Sequence, residues 1–193
     1  VVHHRPQAVE DMERLCFHVA QNAEEAAQYG ADRVVEELRR QPSLLLCAAA
    51  GSSPRRTYQL LGQAARHDPS LFEQLRIVAV DEWLGLRDGE PATCAADLRT
   101  HLLDPLGIPA ERCQRFRTDT ADGQRECARV AEWLARHGPI DLCVLGIGAN
   151  GHLAMNEPAE KLCPHAHVAR LTPVSLEHPL LATCPIKPTH GLT

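Results

Sequence analysis

The sequence predicts one α/β domain over residues 1–193, built on a doubly wound, mostly parallel sheet with helices on both faces. Short apolar runs at 44–48, 77–80 and 140–145 are typical of buried strands. Segments of helical periodicity separate these runs, and such alternation produces parallel strands joined by crossover helices. A length of 193 residues with 44% hydrophobic side chains suits a single core.

The helices are predicted from apolar residues that recur at steps of three and four. They cover residues 9–27 with a resumption after Gly30 as far as Leu38, the segment after Ser53-Pro54, residues 94–103, and residues 127–134 up to Gly138-Pro139. A serine N-cap followed by proline favours the helix start at 53–54. The strand 140–145 carries one charge, Asp141, so we expect it to be buried on both faces.

Residues 158–188 are predicted to form a lid-like segment, because prolines recur there at 158, 164, 173, 179, 185 and 188. One short strand is expected at 168–171. Residues 191–193 look like the start of another strand, so we expect a C-terminal strand–helix portion that this chain lacks or does not show.

Composition excludes several classes of function. The net charge is −5, the pI is near 6.1, and no run of Lys or Arg exceeds two residues, so neither nucleic acid nor an anionic membrane is an expected partner. No apolar run approaches the ~20 residues that span a bilayer, and the N-terminus lacks a signal-peptide core. We therefore expect a cytoplasmic protein, and homo-oligomer formation stays open.

Cysteine and histidine usage does not predict a metal site. The eight cysteines are widely and irregularly spaced without a C-x-x-C pair, which argues against a disulfide framework or a zinc knuckle. The eleven histidines show no spacing that would supply three or four ligands. We expect no bound metal.

The loop Gly51-Ser52-Ser53 follows the first strand and opens a helix. Free backbone N–H groups and the helix dipole favour a phosphate at such a place. An ordinary serine cap is the structural alternative. The loop is therefore a candidate phosphate site.

Asp81 and Glu82 are adjacent carboxylates directly after the second strand. Like charges near apolar surroundings raise the proton affinity of at least one of them, which suits a general base that removes a proton next to a carbonyl. The alternative is a solvated start of a loop.

The third strand ends in a glycine loop that presents Asn150, His152 and Glu157. A carboxylate bound to one imidazole nitrogen fixes the tautomer and leaves the other nitrogen for proton transfer. The same loop spells G-x-G-x-x-G from Gly146, the phosphate fingerprint of dinucleotide-binding folds. Pro158 lies seven residues after the last glycine and precludes the long helix that this fingerprint requires, so a nicotinamide site is disfavoured.

Three motifs, in order and at comparable separations, resemble the glucosamine-6-phosphate deaminase family. They are Ala-Gly-Ser-Ser-Pro-x-x-Thr-Tyr, Val-Asp81-Glu82-Trp-Leu-Gly-Leu and Leu-Gly-Ile-Gly-Ala-Asn-Gly-His152-Leu-Ala-Met-Asn-Glu157-Pro. The resemblance implies conversion of an amino-sugar phosphate to a ketose phosphate and ammonia without a cofactor. It also implies that Asp81 is the base at C2, that His152, oriented by Glu157, opens the sugar ring, and that the 51–53 loop holds the phosphate.

Two departures from that family pattern favour its galactosamine-6-phosphate isomerase branch. Glucosamine enzymes usually have Asp where this chain has Asn150, and Leu176 stands where they place a lid arginine. Lys187 is the nearest cation that could substitute, and His190 is close to it in sequence, so both are predicted to bind substrate. A 6-phosphogluconolactonase and a non-catalytic sugar-phosphate sensor stay open as alternatives, although the related lactonases lack the Asn-Glu-Pro ending at Glu157.

Overall fold

The computed structural model describes residues 16–185 and 187–193. Its helices are α1 (Ala23–Arg40), α2 (Ser52–His67), α3 (Cys94–Leu98), α4 (Asp104–Leu106) and α5 (Gly123–His137). Its strands are β1 (Leu45–Ala48), β2 (Arg76–Ala79), β3 (Glu82–Trp83), β4 (Cys113–Gln114), β5 (Leu142–Val144), β6 (Val168–Arg170) and β7 (His190–Leu192). Among the described helices, none has the length and apolar character needed to cross a membrane.

The larger sheet is parallel, with strand order β4-β2-β1-β5. Alternate residues of β1 face opposite ways: Leu46 packs with α1, α2 and the helical segment after residue 98, whereas Leu45 packs toward Trp133 and Leu134 of α5. Helices therefore cover both faces of the sheet. The prediction of a doubly wound, mostly parallel α/β fold is confirmed.

A second sheet is small and antiparallel, with strand order β3-β7-β6. Its strands β6 and β7 match the strands predicted at 168–171 and 191–193, but the pairing of β7 with both β6 and β3 was not predictable from local pattern. Trp83, Met155, Leu171 and Leu181 form a separate apolar cluster beside this sheet. The cluster anchors the segment 158–188 to the strand that follows Asp81.

Helix α1 differs from its prediction in two places, at its start and at the break predicted near Gly30. Residues 16–20 have no regular structure, and α1 begins at Ala23 because the Asn22 side chain accepts the N–H of Glu25 at 2.9 Å; the predicted part before residue 16 lies outside the described residues. The helix continues without interruption through Gly30. A Cβ at Gly30 would lie 3.3 Å from Thr57 Oγ1, so this glycine permits close packing of α1 on α2.

The prediction that 140–145 is a strand buried on both faces is wrong. Strand β5 is the edge of the described parallel sheet, where it pairs only with β1, and Cys143 and Leu145 are exposed. Position in the strand order decides this burial, and that order is not encoded in the apolar run itself.

The predicted helix 94–103 is present but is not α-helical throughout. Helix α3 continues through a π-helical turn at Arg99–Leu103 into α4, and the helical segment stops at Gly107, whose φ is +64°. The first turn of α3 is capped by Glu82. Its buried carboxylate accepts backbone N–H groups of Trp83, Cys94 and Ala95 at 2.8–2.9 Å.

We expect Glu82→Gln to lower the free energy of unfolding by about 1–3 kcal/mol, because an amide nitrogen cannot accept one of these N–H groups and the negative charge at the helix start is lost. Urea unfolding measures the change. The matched control is Glu111→Gln at an exposed position, which should alter stability by less than about 0.5 kcal/mol. Equal losses in the two variants would contradict the capping role.

Candidate active site

A cavity of about 410 Å³ lies at the carboxyl ends of the parallel strands. The Gly51–Ser53 loop follows β1, Asp81 follows β2, and His152 belongs to the loop after β5; all three line this cavity. Residues 174–180 form the wall that faces them. The topology thus brings together the three polar segments that follow predicted strands, as expected for ligand sites of parallel α/β sheets.

Asp81 lies in this cavity as a largely desolvated carboxyl group. Burial, together with the adjacent charge of Glu82, raises the pKa of Asp81 to about 7, although Cys94 opposes the shift. A carboxyl group with such a pKa exchanges protons readily near neutral pH. Asp81 is therefore suited to act as a general base or acid.

Glu82 is separated from the cavity, although it adjoins Asp81 in sequence. Only 1% of its surface is exposed, and its oxygens bind the first turn of α3. Burial raises the pKa of Glu82, while the N–H groups of Ala95 and Cys94 oppose that shift. The geometry gives Glu82 a capping role and an electrostatic effect on Asp81, without placing it where a ligand could touch it.

His152 is held in one orientation by its own loop. Gly148 donates its N–H to the His152 carbonyl at 2.9 Å, and the imidazole lies over Gly148. A Cβ at Gly148 would come within 2.1–2.4 Å of three ring atoms, so only glycine fits there. Asn150 Oδ1 lies 2.6 Å from His152 Nδ1, which carries the proton and leaves Nε2 as the free acceptor.

Glu157 acts on His152 indirectly. Asn150 Nδ2 donates to Glu157 at 2.9 Å, and this bond directs the amide oxygen of Asn150 toward the imidazole. The expectation that Glu157 itself orients His152 is therefore replaced by a relay from Glu157 through Asn150.

Thr172 and Ser175 complete the relay, and sequence reasoning missed both. The Glu157 carboxylate accepts the Thr172 N–H at 2.9 Å and the Ser175 hydroxyl at 2.5 Å; Ser175 Oγ also lies 3.3 Å from His152 Nδ1. Burial alone would raise the pKa of Glu157, but the bonds from Ser175, Thr172 and Asn150 together lower it. In sequence, Thr172-Pro-Val-Ser175 has the spacing of an ordinary turn and gives no distinct signal.

The Gly51–Ser53 loop presents two backbone donors to the cavity. Gly51, with φ of +103°, is the N-cap of α2, so the prediction of a serine cap is wrong. Its N–H donates to the buried Asp97 at 2.9 Å, and Asp97 also binds Arg55 at 2.8 Å. The N–H groups and hydroxyls of Ser52 and Ser53 have no hydrogen-bond partner among the described residues.

Lys187 and His190 do not reach this cavity. Lys187 Nζ donates to the Leu176 carbonyl at 2.6 Å, and His190 lies in β7 with Nδ1 2.9 Å from Thr189 Oγ1. Their predicted contact with substrate has no counterpart in the geometry, because neither residue lines the cavity. Sequence reasoning missed His178, which does line the cavity.

Within residues 16–185 and 187–193, no group of three His, Cys, Asp or Glu side chains is arranged to hold a metal ion. The cavity's polar groups are instead carboxyl, imidazole, hydroxyl and backbone N–H. These groups can transfer protons and bind an anion.

Comparison with known proteins identifies the family. A family model described as glucosamine-6-phosphate isomerases/6-phosphogluconolactonase matches residues 18–171. AgaI of Escherichia coli (strain K12), to which a deaminase function is ascribed, is 36% identical over 183 residues, which cover 92% of this chain and 72% of AgaI. The glucosamine-6-phosphate deaminase of Geobacillus sp. (strain WCH70) is 32% identical over 154 residues, covering 80% of this chain and 61% of that enzyme.

Solved structures agree at the level of the fold. A monomeric glucosamine-6-phosphate deaminase superposes with a TM-score of 0.81 at 24% identity, covering 90% of this chain and 73% of that one. The 6-phosphogluconolactonase of Trypanosoma brucei superposes with a TM-score of 0.67 at 22% identity, covering 91% and 74%. The shared sequence, taken with this fold, shows that the chain belongs to the family of glucosamine-6-phosphate isomerases and 6-phosphogluconolactonases.

Proposed function

We propose that this chain carries the active site of an amino-sugar-phosphate deaminase that converts a hexosamine 6-phosphate into a ketose 6-phosphate and ammonia. The observation that supports it best is one cavity shared by Asp81, with its raised pKa, and by His152 of the Glu157–Asn150 relay. The chain spans about three fifths of the length of the glucosamine-6-phosphate deaminases it matches, such as the 61% covered in the Geobacillus enzyme.

Ring opening is the step assigned to His152. Its Nε2 accepts the proton of the anomeric hydroxyl and returns a proton to the ring oxygen as the C1–O5 bond breaks. The bond from Nδ1 to Asn150 fixes the tautomer required for this exchange.

Deamination is the step assigned to Asp81. The ionised carboxylate removes the C2 proton of the open-chain aldose, which forms an enolamine, and it then delivers a proton to C1. The resulting C2 imine adds water and releases ammonia, leaving the ketose phosphate. Reduction of C1 is balanced by oxidation of C2 within the same substrate, so the proposed chemistry requires no external redox cofactor. The Ser52 and Ser53 N–H groups at the start of α2 would bind the phosphate.

Between the two epimers we favour galactosamine 6-phosphate. The hydrogen-bond partner of His152 is Asn150, where glucosamine enzymes usually have Asp, and Leu176 stands where they place a lid arginine. Both features resemble the galactosamine branch. Ammonia release from the galacto and gluco substrates, measured side by side at equal concentration, tests this preference. A higher kcat/KM for the gluco epimer would reverse it.

The lactonase alternative is supported by the shared family model and by the fold, but the lactonase structures compared with this chain are no more than 22% identical to it. The sensor alternative does not account for the raised pKa of Asp81. Assays of lactone hydrolysis and of ammonia release on the same preparation distinguish the deaminase, the lactonase and the sensor, because the sensor should show neither activity. Because phosphorylated sugars do not cross membranes, we also place the enzyme in the cytoplasm; homo-oligomer formation stays open.

We expect Asp81→Asn to reduce exchange of the substrate C2 proton with solvent by roughly 10²–10⁴-fold, because an amide cannot act as the base. In the unsubstituted enzyme the same exchange should rise with pH through about 7, where Asp81 ionises. NMR in deuterated buffer measures the exchange. A rate in the variant close to that of the unsubstituted enzyme would assign the base elsewhere.

The same substitution should change how stability depends on pH. Folded Asp81, with its pKa raised to about 7, binds its proton more tightly than the unfolded chain does, so its stabilising contribution at low pH is lost as pH rises from about 4 through 7. An amide does not ionise. The stability of Asp81→Asn relative to the unsubstituted protein should therefore increase as the pH is raised from 5 to 8. Thermal unfolding of both proteins at each pH measures this difference. A stability difference that is independent of pH would contradict the raised pKa.

We expect Asn150→Asp to introduce a new pH dependence. The substitution replaces the N–H donor facing Glu157 by a second carboxylate at hydrogen-bond distance, so repulsion raises the pKa of one member of the pair. The pH profile of kcat between pH 4 and 8 should then gain a titration above the usual carboxyl range. Asn150→Ala is the control, since it breaks the relay without adding charge; identical profiles for the two variants would refute the relay.

A further inference from the structure

The proposed phosphate site has an unusual charge balance. No Lys or Arg is among the described residues that line the cavity. Arg55 of α2 does not line the cavity, and its guanidinium is bound to the buried Asp97 at 2.8 Å. A phosphate dianion at the start of α2 would therefore meet the N–H groups and hydroxyls of Ser52 and Ser53 and the helix dipole, but no Lys or Arg of the described cavity lining. A further donor from the opposite wall would strengthen the binding of such an anion.

His178 is positioned to be that donor. It lies in the wall opposite the Gly51–Ser53 loop, between the turns Ser175–Glu177 and Pro179–Leu181. A Cβ built on Gly51 would lie 3.4 Å from His178 Nε2, so this nitrogen faces the loop across a narrow gap. The absence of a side chain at Gly51 keeps that gap open.

The tautomer of His178 is fixed by its own turn. Its Nδ1 accepts the N–H of Leu180 at 3.3 Å and caps the turn Pro179–Leu181. The neutral ring consequently carries its proton on Nε2, the nitrogen that faces the Ser52 loop. His178 is thus a preorganised N–H donor.

The surroundings keep this donor in place. The ring packs against Trp83 with centroids 5.6 Å apart and planes at 50°. Burial lowers the pKa of His178, the nearby His152 lowers it further, and Asp97 opposes both. Glu177, Asp81 and Cys94 are the other titratable groups among the described residues that line the cavity walls. The imidazole is therefore neutral before a ligand binds.

We propose that His178 binds the substrate phosphate, donating from Nε2 to an oxygen of the same phosphate that the Ser52 and Ser53 N–H groups hold. The inference rests on the proposed function, because it assumes that the cavity takes a sugar phosphate. It assigns to His178 a substrate-binding role of the kind that the sequence predicted for Lys187 and His190.

Two substitutions distinguish hydrogen bonding by His178 Nε2 from the capping role of His178 Nδ1. His178→Asn keeps an acceptor near the position of Nδ1 for the Leu180 N–H but has no group at the position of Nε2. His178→Gln places an N–H donor near Nε2 but gives up the cap. The probe is inorganic phosphate, titrated calorimetrically into each protein, with KM for the hexosamine 6-phosphate as a second readout.

The expected result is that His178→Asn weakens phosphate binding by about ten- to a hundred-fold, the contribution of one hydrogen bond to a charged group. His178→Gln should stay within several-fold of the unsubstituted protein, and kcat should change less than KM in both variants. Equal weakening in the two variants, or unchanged phosphate binding in a folded His178→Asn protein, would overturn the inference.

A measurement on the unsubstituted protein keeps the test decisive if a variant fails to fold. Adding inorganic phosphate should shift the NMR signal of the His178 Nε2–H; no shift at phosphate saturation would overturn the inference. Failure of the proposed function would look different, since the protein would then release no ammonia from either hexosamine 6-phosphate. Ammonia release with an unperturbed His178 would reject this inference alone.

Discussion

The cavity depends on the contact between the Glu82 carboxylate and the first turn of α3. By accepting the N–H groups of Cys94 and Ala95, it fixes α3 against the strand that follows Asp81. Helix α3 in turn supplies Asp97, whose carboxylate binds the Gly51 N–H and so sets the start of α2. A buried, charged acceptor is costly to leave without donors. Glu82 and Asp97 therefore hold α3 both to the strand that follows Asp81 and to the start of α2.

A second polar network connects the loop after β5 to the segment 158–188. Glu157 collects donors from Asn150, Thr172 and Ser175, two of which belong to that segment. The orientation of His152 therefore depends on where residues 172–175 lie. Movement of this wall would alter the orientation of His152 and the position of His178 together, since His178 is part of the same wall.

Local pattern predicted what local physics controls. Apolar runs and turn residues predicted β1, β2, β5, β6 and β7, the helices apart from the start of α1, and the three strand ends that bear Asp81, His152 and the Ser52 loop. They did not predict the two-residue strands β3 and β4. Properties that depend on strand order or on packing between distant segments were not predictable, such as the exposure of β5 and the contact of Glu157 with Asn150 instead of the imidazole. His178 was hidden for the same reason, because a lone histidine between prolines has no spacing that indicates a site.

The carboxyl groups around the cavity differ in what binds them, and that difference separates their roles. Glu157 is surrounded by hydrogen-bond donors, which lower its pKa and keep it ionised as a fixed acceptor. Asp81 accepts no backbone N–H among the described residues, so burial and the charge of Glu82 raise its pKa to about 7. A group that is stabilised in one protonation state positions its neighbours, whereas a group left near balance transfers protons. The carboxyl group proposed to transfer protons is thus the one whose burial is not offset by backbone N–H donors among the described residues.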